Sequence, residues 1–380
     1  MIITNIQLNN WKNFSYVNVK TDKRVFILGP NASGKSNFLD ALRFLRDVSQ
    51  DGLNKAVESR GGIKAVRYLC ARRPSDVSIT VNIDDTLSYQ LSFNANNNGM
   101  PIVSHEKVSS YINGQESIIL NRPDKDDEQD SMRLTQTALQ QVNINKNFRE
   151  IVNFFISIQY RHILPQLVRD PVNFSIGQNK NDPYGRDLIS QIWNASPKFR
   201  ESRLKKINDV LAIAVPQLDN LSVELDVKTG LPHLAVKYTH WRPNAGRQNE
   251  SELSDGTLRL LALLWSVFDA EGPLLLEEPE LSLHEEIIVQ LPELIMRLDK
   301  TRKKTPRQIF ISTHSKALLT APGIGGNEVI RLEPGKEGTI VHMADEVDNK
   351  LLEEGLCVAD VILPKTSPFS ENRTQLSQLL

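Results

Sequence analysis

The first 28 residues show the hydrophobic pattern of β-strands. IITNIQL and SYVNVK alternate with a period of two, as half-buried strands do, and RVFIL is a continuous apolar run suited to a buried strand. A glycine-containing loop follows. The next segment, from about Lys35 to Val48, predicts a helix whose apolar residues fall on one face: Phe38, Leu39, Leu42 and Leu45.

The middle of the chain changes from β to helical patterning. Between Val77 and about Leu120, VSITVNI, LSYQLSF and SIILNR predict strands separated by turn-rich segments. The acidic run from Asp124 to Asp130 has no periodicity and predicts an exposed loop. Residues 132–214 predict mostly helix, with an interruption near Pro165 to Pro183, and two strands follow at about 220–228 and 232–239.

The last third predicts helices alternating with apolar strands. WRPNAGRQNESE predicts a mobile loop. After it we expect a helix at Thr257 to Ala270, a strand at Pro273 to Leu276, a helix at Glu285 to Leu298 and the strand QIFIS.

Composition narrows the class of protein. The chain has 380 residues, 40% hydrophobic and 24% charged, enough for a large core, and its net charge of −1 gives no global attraction to nucleic acid or anionic membranes. The two cysteines, Cys70 and Cys357, have no metal-like spacing. Neither a signal peptide nor a long apolar span is evident, so we expect a cytoplasmic protein that is not bound to a membrane.

The loop after RVFIL carries the strongest chemical signal. GPNASGKS fits G-x-x-x-x-G-K-[ST], in which glycines let backbone N–H groups point inward beside the positive end of the next helix. Lys35 would reach the β- and γ-phosphates of ATP, and Ser36 would ligate Mg²⁺. The predicted nucleotide-binding residues here are Gly29, Asn31, Ala32, Ser33, Gly34, Lys35, Ser36 and Asn37.

A second signal is an apolar strand that ends in acids, LLLEEPE. It would place Glu277 near the metal and Glu278 where a carboxylate can orient or deprotonate the attacking water. Alone, EEPE fits a helix start with acids in its first turn equally well. A phosphate-binding loop elsewhere in the chain favours the catalytic interpretation.

Two weaker signals flank that strand. LSDGT opens the preceding helix, and for Ser254 in isolation a helix cap is the simpler explanation. His314 follows QIFIS; a lone histidine after a strand is more often structural, but beside the acidic strand it could contact the γ-phosphate.

The order of these four pieces resembles the ATP-binding cassette (ABC) ATPases, in their soluble RecF/SMC-like branch. Within that branch the chain resembles the small AAA-type ATPases related to the OLD family. The resembling segments contain about a quarter of the residues and are spread from near the start to near the end of the chain. Between about residues 100 and 250 the resemblance is weak. It is carried by IITNIQLNNWKNF, GPNASGKSNFLDALRFL, LSDGTLRLLALL, LLLEEPELSLH and IFISTHSKALL.

The resemblance implies an α/β fold, an ABC-type P-loop ATPase head. Residues 1–120 and 250–345 would form a discontinuous nucleotide core, 121–249 a mostly helical insertion or lid, and 346–380 a C-terminal tail. Ser254 and Gly256 would act in trans, on ATP held by the loop of a second copy.

The same resemblance assigns roles to the remaining candidates. Glu278 would be the general base and His314 the sensor of the γ-phosphate. Glu277 stands where the family often has aspartate, so its metal contact could run through water. Gln159 is the candidate for the glutamine that reaches Mg²⁺, with simple surface polarity as the alternative. The chain reads Leu283-His284-Glu285 where relatives often read L-H-P, which puts the geometry of that loop in doubt.

These roles lead to a functional hypothesis. ATP would join two heads into a homodimer or higher oligomer, and hydrolysis would release them. About 35 residues follow the last predicted core strand, so we expect a nuclease or toxin effector to be a separate chain, as in an anti-phage system. The alternative is a RecF-like repair ATPase that clamps DNA. A transporter subunit is disfavoured, because no membrane-coupling signal is present.

Two basic clusters bear on DNA as a partner. Eight basic residues lie between Arg43 and Arg73, and five lie between Lys300 and Arg307. Either could meet phosphate backbones. A solvated face is the simpler interpretation of both.

Overall fold

The computed structural model describes residues 1–72, 75–170, 182–227, 229–239, 246–269, 272–300 and 307–366. Part of the predicted loop WRPNAGRQNESE, at residues 241–245, and residues 301–306 of the second basic cluster lie outside the described residues. The strands are β1 Ile3–Trp11, β2 Phe14–Lys20, β3 Arg24–Leu28, β4 Val77–Ile83, β5 Leu87–Ala95, β6 Pro101–Ile112, β7 Gln115–Arg122, β8 Gln159–Arg161, β9 Leu218–Leu225, β10 Pro232–Tyr238, β11 Leu274–Glu277, β12 Ile309–Thr313, β13 Val329–Gly335 and β14 Gly338–Met343. The helices are α1 Lys35–Asp51, α2 Leu53–Glu58, α3 Ile63–Val66, α4 Lys125–Gln129, α5 Arg149–Ile156, α6 Pro165–Arg169, α7 Leu188–Asn194, α8 Pro197–Ala214, α9 Asp255–Asp269, α10 Glu285–Lys300, α11 Lys316–Leu319, α12 Glu346–Glu353 and α13 Val358–Val361. Short 3₁₀ turns span Ser131–Thr135, Ala138–Gln140, Asn145–Phe148, Gly326–Glu328 and Leu363–Thr366.

The described residues form two compact units. The first comprises those within Met1–Ile158, Glu271–Leu275 and Arg307–Leu380, and the second those within Gln159–Ala270 and Leu276–Pro306. Strand β11 therefore begins in the first unit and ends in the second. The functional boundaries predicted near residues 120 and 250 remain a prediction.

The first unit contains an antiparallel and a mostly parallel sheet. The antiparallel sheet has the strand order β2-β1-β4-β5-β6-β7. In the other sheet the buried strand β3 lies between β12 and β13 and is parallel to both. Leu28 of β3 pairs with Thr313 of β12 on one side and with Arg331 of β13 on the other. All three strands therefore end at the same edge of the sheet.

Aromatic side chains pack helix α1 against the antiparallel sheet. The ring of Phe44 lies 5.2 Å from that of Trp11 on β1 and stacks at 5.3 Å on Phe93 of β5. Phe38, one and a half turns earlier, packs edge-on against Phe14 at 6.3 Å. These rings are fully or almost fully buried, as are Leu39, Leu42 and Leu45 of the predicted apolar face, and Phe44 adds a buried contact outside that face.

The acidic run from Asp124 to Asp130 is largely exposed, as predicted, but it forms a short helix, so the prediction of a loop was wrong. Asp124 and Asp127 form a reciprocal capping box that starts helix α4. Asp127 is also buried, and both of its carboxylate oxygens accept hydrogen bonds from Arg122, each at 2.9 Å. The buried guanidinium of Arg122 therefore holds this acidic segment against the sheet. The pattern of neighbouring residues could not predict this contact.

Arg122 uses all its donor capacity in this network. Besides the two bonds to Asp127, it donates to Glu106 at 3.2 Å and to the carbonyl oxygens of Gln136 and Arg133, both at 3.0 Å. These five bonds match the five N–H groups of a guanidinium. Hydrogen bonds from Arg122 hold the pKa of Asp127 below its usual value. The resulting stabilisation is therefore complete at neutral pH and is lost as the pH falls through that lowered pKa.

The second unit is built around helix α9. Its residues are apolar on almost every side and buried, as expected for a central helix. Strands β9 and β10 form an antiparallel pair in which Val223 opposes Leu234. The guanidinium of Arg161 on β8 donates to the hydroxyl of Ser266 on α9 at 3.3 Å, which ties the short strand to the helix.

We expect Arg122→Met to lower the free energy of unfolding by about 3–5 kcal/mol, because two buried carboxylates would lose their cation. Urea denaturation would measure it. The matched control is Arg297→Met, which breaks an exposed pair with Glu293 and should cost less than about 0.5 kcal/mol. Equal losses in the two variants would contradict the assigned role of the network.

Candidate functional site

Two glycines shape the loop between β3 and α1. A Cβ atom on Gly29 would lie 2.4 Å from Ser33 Oγ and 2.8 Å from the Leu332 carbonyl oxygen. Gly34 has φ 97°, and a Cβ there would lie 2.1 Å from Asn13 Nδ2. A side chain at either position would fill the space into which the loop curls. The shape of the loop therefore depends on both glycines.

Lys35 begins helix α1 and folds back over the loop. Its Nζ donates hydrogen bonds to the carbonyl oxygens of Gly29 at 2.9 Å and Pro30 at 3.2 Å. The side chain is buried, whereas Ser36 and the loop residues Asn31 and Ala32 are exposed. The cation and the N-terminal end of α1 thus face the same short loop, which is favourable for binding an anion.

Asn13, which the sequence analysis missed, braces this loop. Its Nδ2 donates to the Ser33 carbonyl oxygen at 3.2 Å and to Thr339 Oγ1 at 2.7 Å. Its Oδ1 accepts a hydrogen bond from Asn37 Nδ2 at 2.7 Å. Thr339 Oγ1 in turn donates to the same Ser33 carbonyl oxygen at 2.8 Å. One side chain between β1 and β2 therefore holds the end of the glycine turn and the first turn of helix α1.

His314 lies beside the start of the same loop. It follows Thr313, which pairs with Leu28, the residue before Gly29. The imidazole is exposed, and Ser315 next to it caps helix α11 through Leu318 N at 3.3 Å. Parallel pairing thus brings the loop and the histidine to one edge of the sheet in the first unit.

In the second unit, Ser254 caps helix α9. Its Oγ accepts a hydrogen bond from Thr257 N at 3.2 Å, and its side chain is exposed. A Cβ atom on Gly256 would lie 2.6 Å from the Ser282 carbonyl oxygen, so only glycine fits without a shift of backbone. Ser282 belongs to the loop between β11 and α10. The LSDGT turn and the loop after the acidic strand are therefore in direct contact.

The end of β11 presents the two acids. The Tyr160 hydroxyl on β8 donates a hydrogen bond to Glu277 Oε2, and His162 Nδ1 lies 3.3 Å from the Glu277 carbonyl oxygen. Glu278 follows with φ 43°, a left-handed conformation that costs a non-glycine residue about 1–3 kcal/mol. Such strain is frequent at functional sites.

Gln159 begins β8, and its Oε1 is buried without a hydrogen-bond partner among the described residues. The side chain from β8 that contacts Glu277 is Tyr160. Adjacent side chains of a strand point to opposite faces. A search of the sequence for glutamine could not tell which of the two neighbouring residues faces Glu277. The metal-binding role of Gln159 remains a prediction.

The candidate residues fall in both units. Lys35, Ser36 and His314 belong to the first, and Ser254, Gly256, Glu277 and Glu278 to the second. Within the described residues, no group of three or more His, Cys, Asp or Glu side chains could hold a metal by itself. None of the described helices is long and apolar enough to cross a membrane.

The glycine loop after a buried parallel strand and the sheet around it define an ABC-type P-loop ATPase head of the RecF/SMC-like type. The fold is similar to the solved SMC head bound to the C-winged helix domain of ScpA. That comparison has a TM-score of 0.52 and 16% identity, and covers 93% of this chain and 100% of that one. Residues 24–320 match the family described as "AAA domain, putative AbiEii toxin, Type IV TA system", and the chain belongs to this family.

Two curated relatives add to this assignment. Endonuclease GajA of Bacillus cereus (strain VD045) is 45% identical over 58 residues, which are 15% of this chain and 10% of GajA. The DNA replication and repair protein RecF of Lactobacillus johnsonii is 24% identical over 277 residues, covering 65% of this chain and 69% of RecF. The matched stretch thus covers only about a tenth of the length of GajA.

We expect Asn13→Ala to weaken ATP binding about fivefold to tenfold, because three hydrogen bonds that brace the loop are lost. Titration with a fluorescent ATP analogue would measure the change. Asn5→Ala, which removes one exposed hydrogen bond to Asn18, is the control and should bind like the wild type. Unchanged affinity in Asn13→Ala would contradict the bracing role.

Proposed function

We propose that this chain binds and hydrolyses ATP, dimerises through the nucleotide, and thereby regulates a separate nuclease or toxin effector in anti-phage defence. The observation that carries the proposal is the geometry of the loop. Gly29 and Gly34 leave space and backbone unobstructed by side chains, and Lys35 supplies a cation for phosphates. Mg²⁺ would supply charge neutralisation on the β- and γ-phosphates, with Ser36 and Glu277 as its protein ligands.

The roles follow from the chemistry of each side chain. Glu278, at the end of the acidic strand, would accept the proton of the attacking water, and His314 would contact the γ-phosphate. Ser254 and Gly256 would meet the ATP of a second copy, because the capped start of α9 offers an exposed hydroxyl and backbone N–H groups.

Two comparisons support an effector-linked role. The family description refers to a toxin–antitoxin system, and the relative that is 45% identical over 58 residues is named as an endonuclease. These names describe the relatives. For this chain they favour a head that controls a nuclease or toxin.

The alternative is a RecF-like ATPase that clamps DNA. It is supported by the RecF relatives and by basic residues of helix α8: Lys198 and Lys205 are exposed, and Arg203 lies 5.8 Å from the centre of the exposed Phe199 ring. The cluster between Arg43 and Arg73 gives it less support. Arg60 and Arg46 are engaged by aspartates of α1 at 2.7–2.9 Å, and Lys55 pairs with Asp51 at 3.0 Å.

The hydrolytic roles predict a split between binding and turnover. Lys35→Ala should abolish ATP binding. Glu278→Gln should retain it and lose about 10²- to 10⁴-fold in kcat, because the water loses its base. Nucleotide binding and phosphate release would be measured in parallel, with Lys55→Ala and Glu293→Gln as exposed controls. Tight binding by Lys35→Ala, or normal turnover by Glu278→Gln, would refute the respective role.

The in-trans role predicts the oligomeric state. With ATP and Mg²⁺, Glu278→Gln should run as a stable dimer in light-scattering chromatography. Adding Ser254→Arg should return it to monomer while ATP still binds to each subunit, because the arginine would occupy the dimer contact. A dimer that survives the second substitution would remove Ser254 from the interface.

The effector-regulating function and the DNA-clamp function predict different molecules bound to the trapped dimer. Tagged Glu278→Gln would be purified from the native host with ATP and Mg²⁺, with the Ser254→Arg double variant as control. We expect a stoichiometric protein with nuclease or toxin activity. Salt-sensitive recovery of DNA without a protein partner would instead favour the repair clamp.

A further inference from the structure

Helix α9 carries a buried arginine that neither the sequence motifs nor the proposed reaction uses. Arg259 lies five residues after Ser254, and only 5% of its surface is exposed. Its Nε and Nη1 have no hydrogen-bond partner among the described residues. Burying a charge without hydrogen bonds costs several kcal/mol. An apolar side chain would pack here at lower cost, so the charge itself requires an explanation.

The charges around Arg259 come from two elements. Asp255 lies one turn earlier on α9, and Glu278 and Glu280 lie in the loop after β11. Burial lowers the pKa of the guanidinium, and these three carboxylates oppose the shift. Asp255 is already engaged by Arg169 at 2.5 Å. Glu280 is buried, at 4% exposure. The electrostatic attraction therefore acts between the helix and the acidic loop.

The same guanidinium borders a small cavity within the second unit. The cavity has a volume of about 10 Å³, room for about one water molecule. Its wall includes Arg161 on β8 together with Glu277 and Pro279, the residues on either side of Glu278. Arg259 thus approaches the acidic strand end from inside the unit.

The acidic loop is a strained segment that needs such support. Glu278 has φ 43° and Ser282 has φ 62°, each an unfavourable conformation for a residue with a side chain. Such conformations persist only where the surrounding structure imposes them. One support is steric, since the Ser282 carbonyl oxygen abuts Gly256. Tyr160 and His162 hold Glu277 at the acidic end of the loop, and the charge of Arg259 is available as a further support.

We propose that Arg259 is a positioning residue for the acidic segment Glu277–Glu280: its buried positive charge holds Glu278 in the strained conformation from which it activates water. The inference rests on the proposed function, since it gives Arg259 a part in ATP hydrolysis. It also makes α9, which is capped by Ser254, the element that connects the dimer contact to the base.

The test compares Arg259→Met, Arg259→Lys and the exposed control Arg297→Met in the full chain. Arg259→Met should lower kcat about tenfold to hundredfold with KM changed less than about twofold, because the base is misplaced while ATP binding is intact. Its Tm should stay near that of the wild type, because Nε and Nη1 of Arg259 have no hydrogen bonds to lose. Arg259→Lys should keep kcat within about threefold, and the control should be unchanged.

Each other result counts against the inference. A wild-type kcat in Arg259→Met would overturn it. A fall in Tm with kcat lost equally in the Lys variant would assign the arginine a structural role instead. A double-mutant cycle with Glu280→Gln should give a combined loss smaller than the product of the single losses, and losses that simply multiply would also overturn it.

The same measurements separate the two proposals. If the wild type shows no turnover that depends on Lys35, the proposed function fails, and the role of Arg259 fails with it. If the wild type hydrolyses ATP and Arg259→Met does so equally well, only the positioning role fails.

Discussion

The parallel pairing of β3 with β12 and β13 is the constraint on which the first half of the site depends. Backbone hydrogen bonds between buried strands fix Leu28 opposite Thr313, so the glycine loop and His314 must emerge at one edge. Helix α1 then leaves the loop in a direction set by its aromatic face, where Phe44 packs between Trp11 and Phe93. The loop therefore has a rigid strand before it and a rigid helix after it, as the binding of a compact, highly charged group requires.

The features predicted best from the sequence are those that depend only on neighbouring residues. A continuous apolar run, a glycine loop with lysine and an amphipathic helix each depend on neighbouring residues, and the structure places all three as expected. The acidic segment after β7 could not be read in this way, because Arg122 and Glu106, which bury Asp127, are brought to it by strand pairing. Asn13 was missed for the same reason: its partners Ser33 and Thr339 are distant in sequence.

The second unit shows what patterning can and cannot detect. LSDGT was correctly predicted to open a helix with Ser254 as its cap, since capping is a local signal. The contact between Gly256 and Ser282, and the hydrogen bond from Tyr160 to Glu277, depend on how separate segments fold together. Arg259 could have been noticed, because a lone arginine inside LRLLALL breaks an otherwise apolar helix. Such a break is often where a protein gives up stability for activity.

The split of the first unit across the chain has a consequence for biosynthesis. Both neighbours of β3 lie beyond residue 308 of the 380-residue chain, and Gln308 itself hydrogen-bonds the backbone of Ile3 at 2.6 and 2.8 Å. While the chain emerges from the ribosome, the apolar strand RVFIL therefore stays unpaired until the segment beyond residue 308 has been translated. Until then both edges of this apolar strand lack their native partners, and unpaired strand edges of this kind promote aggregation.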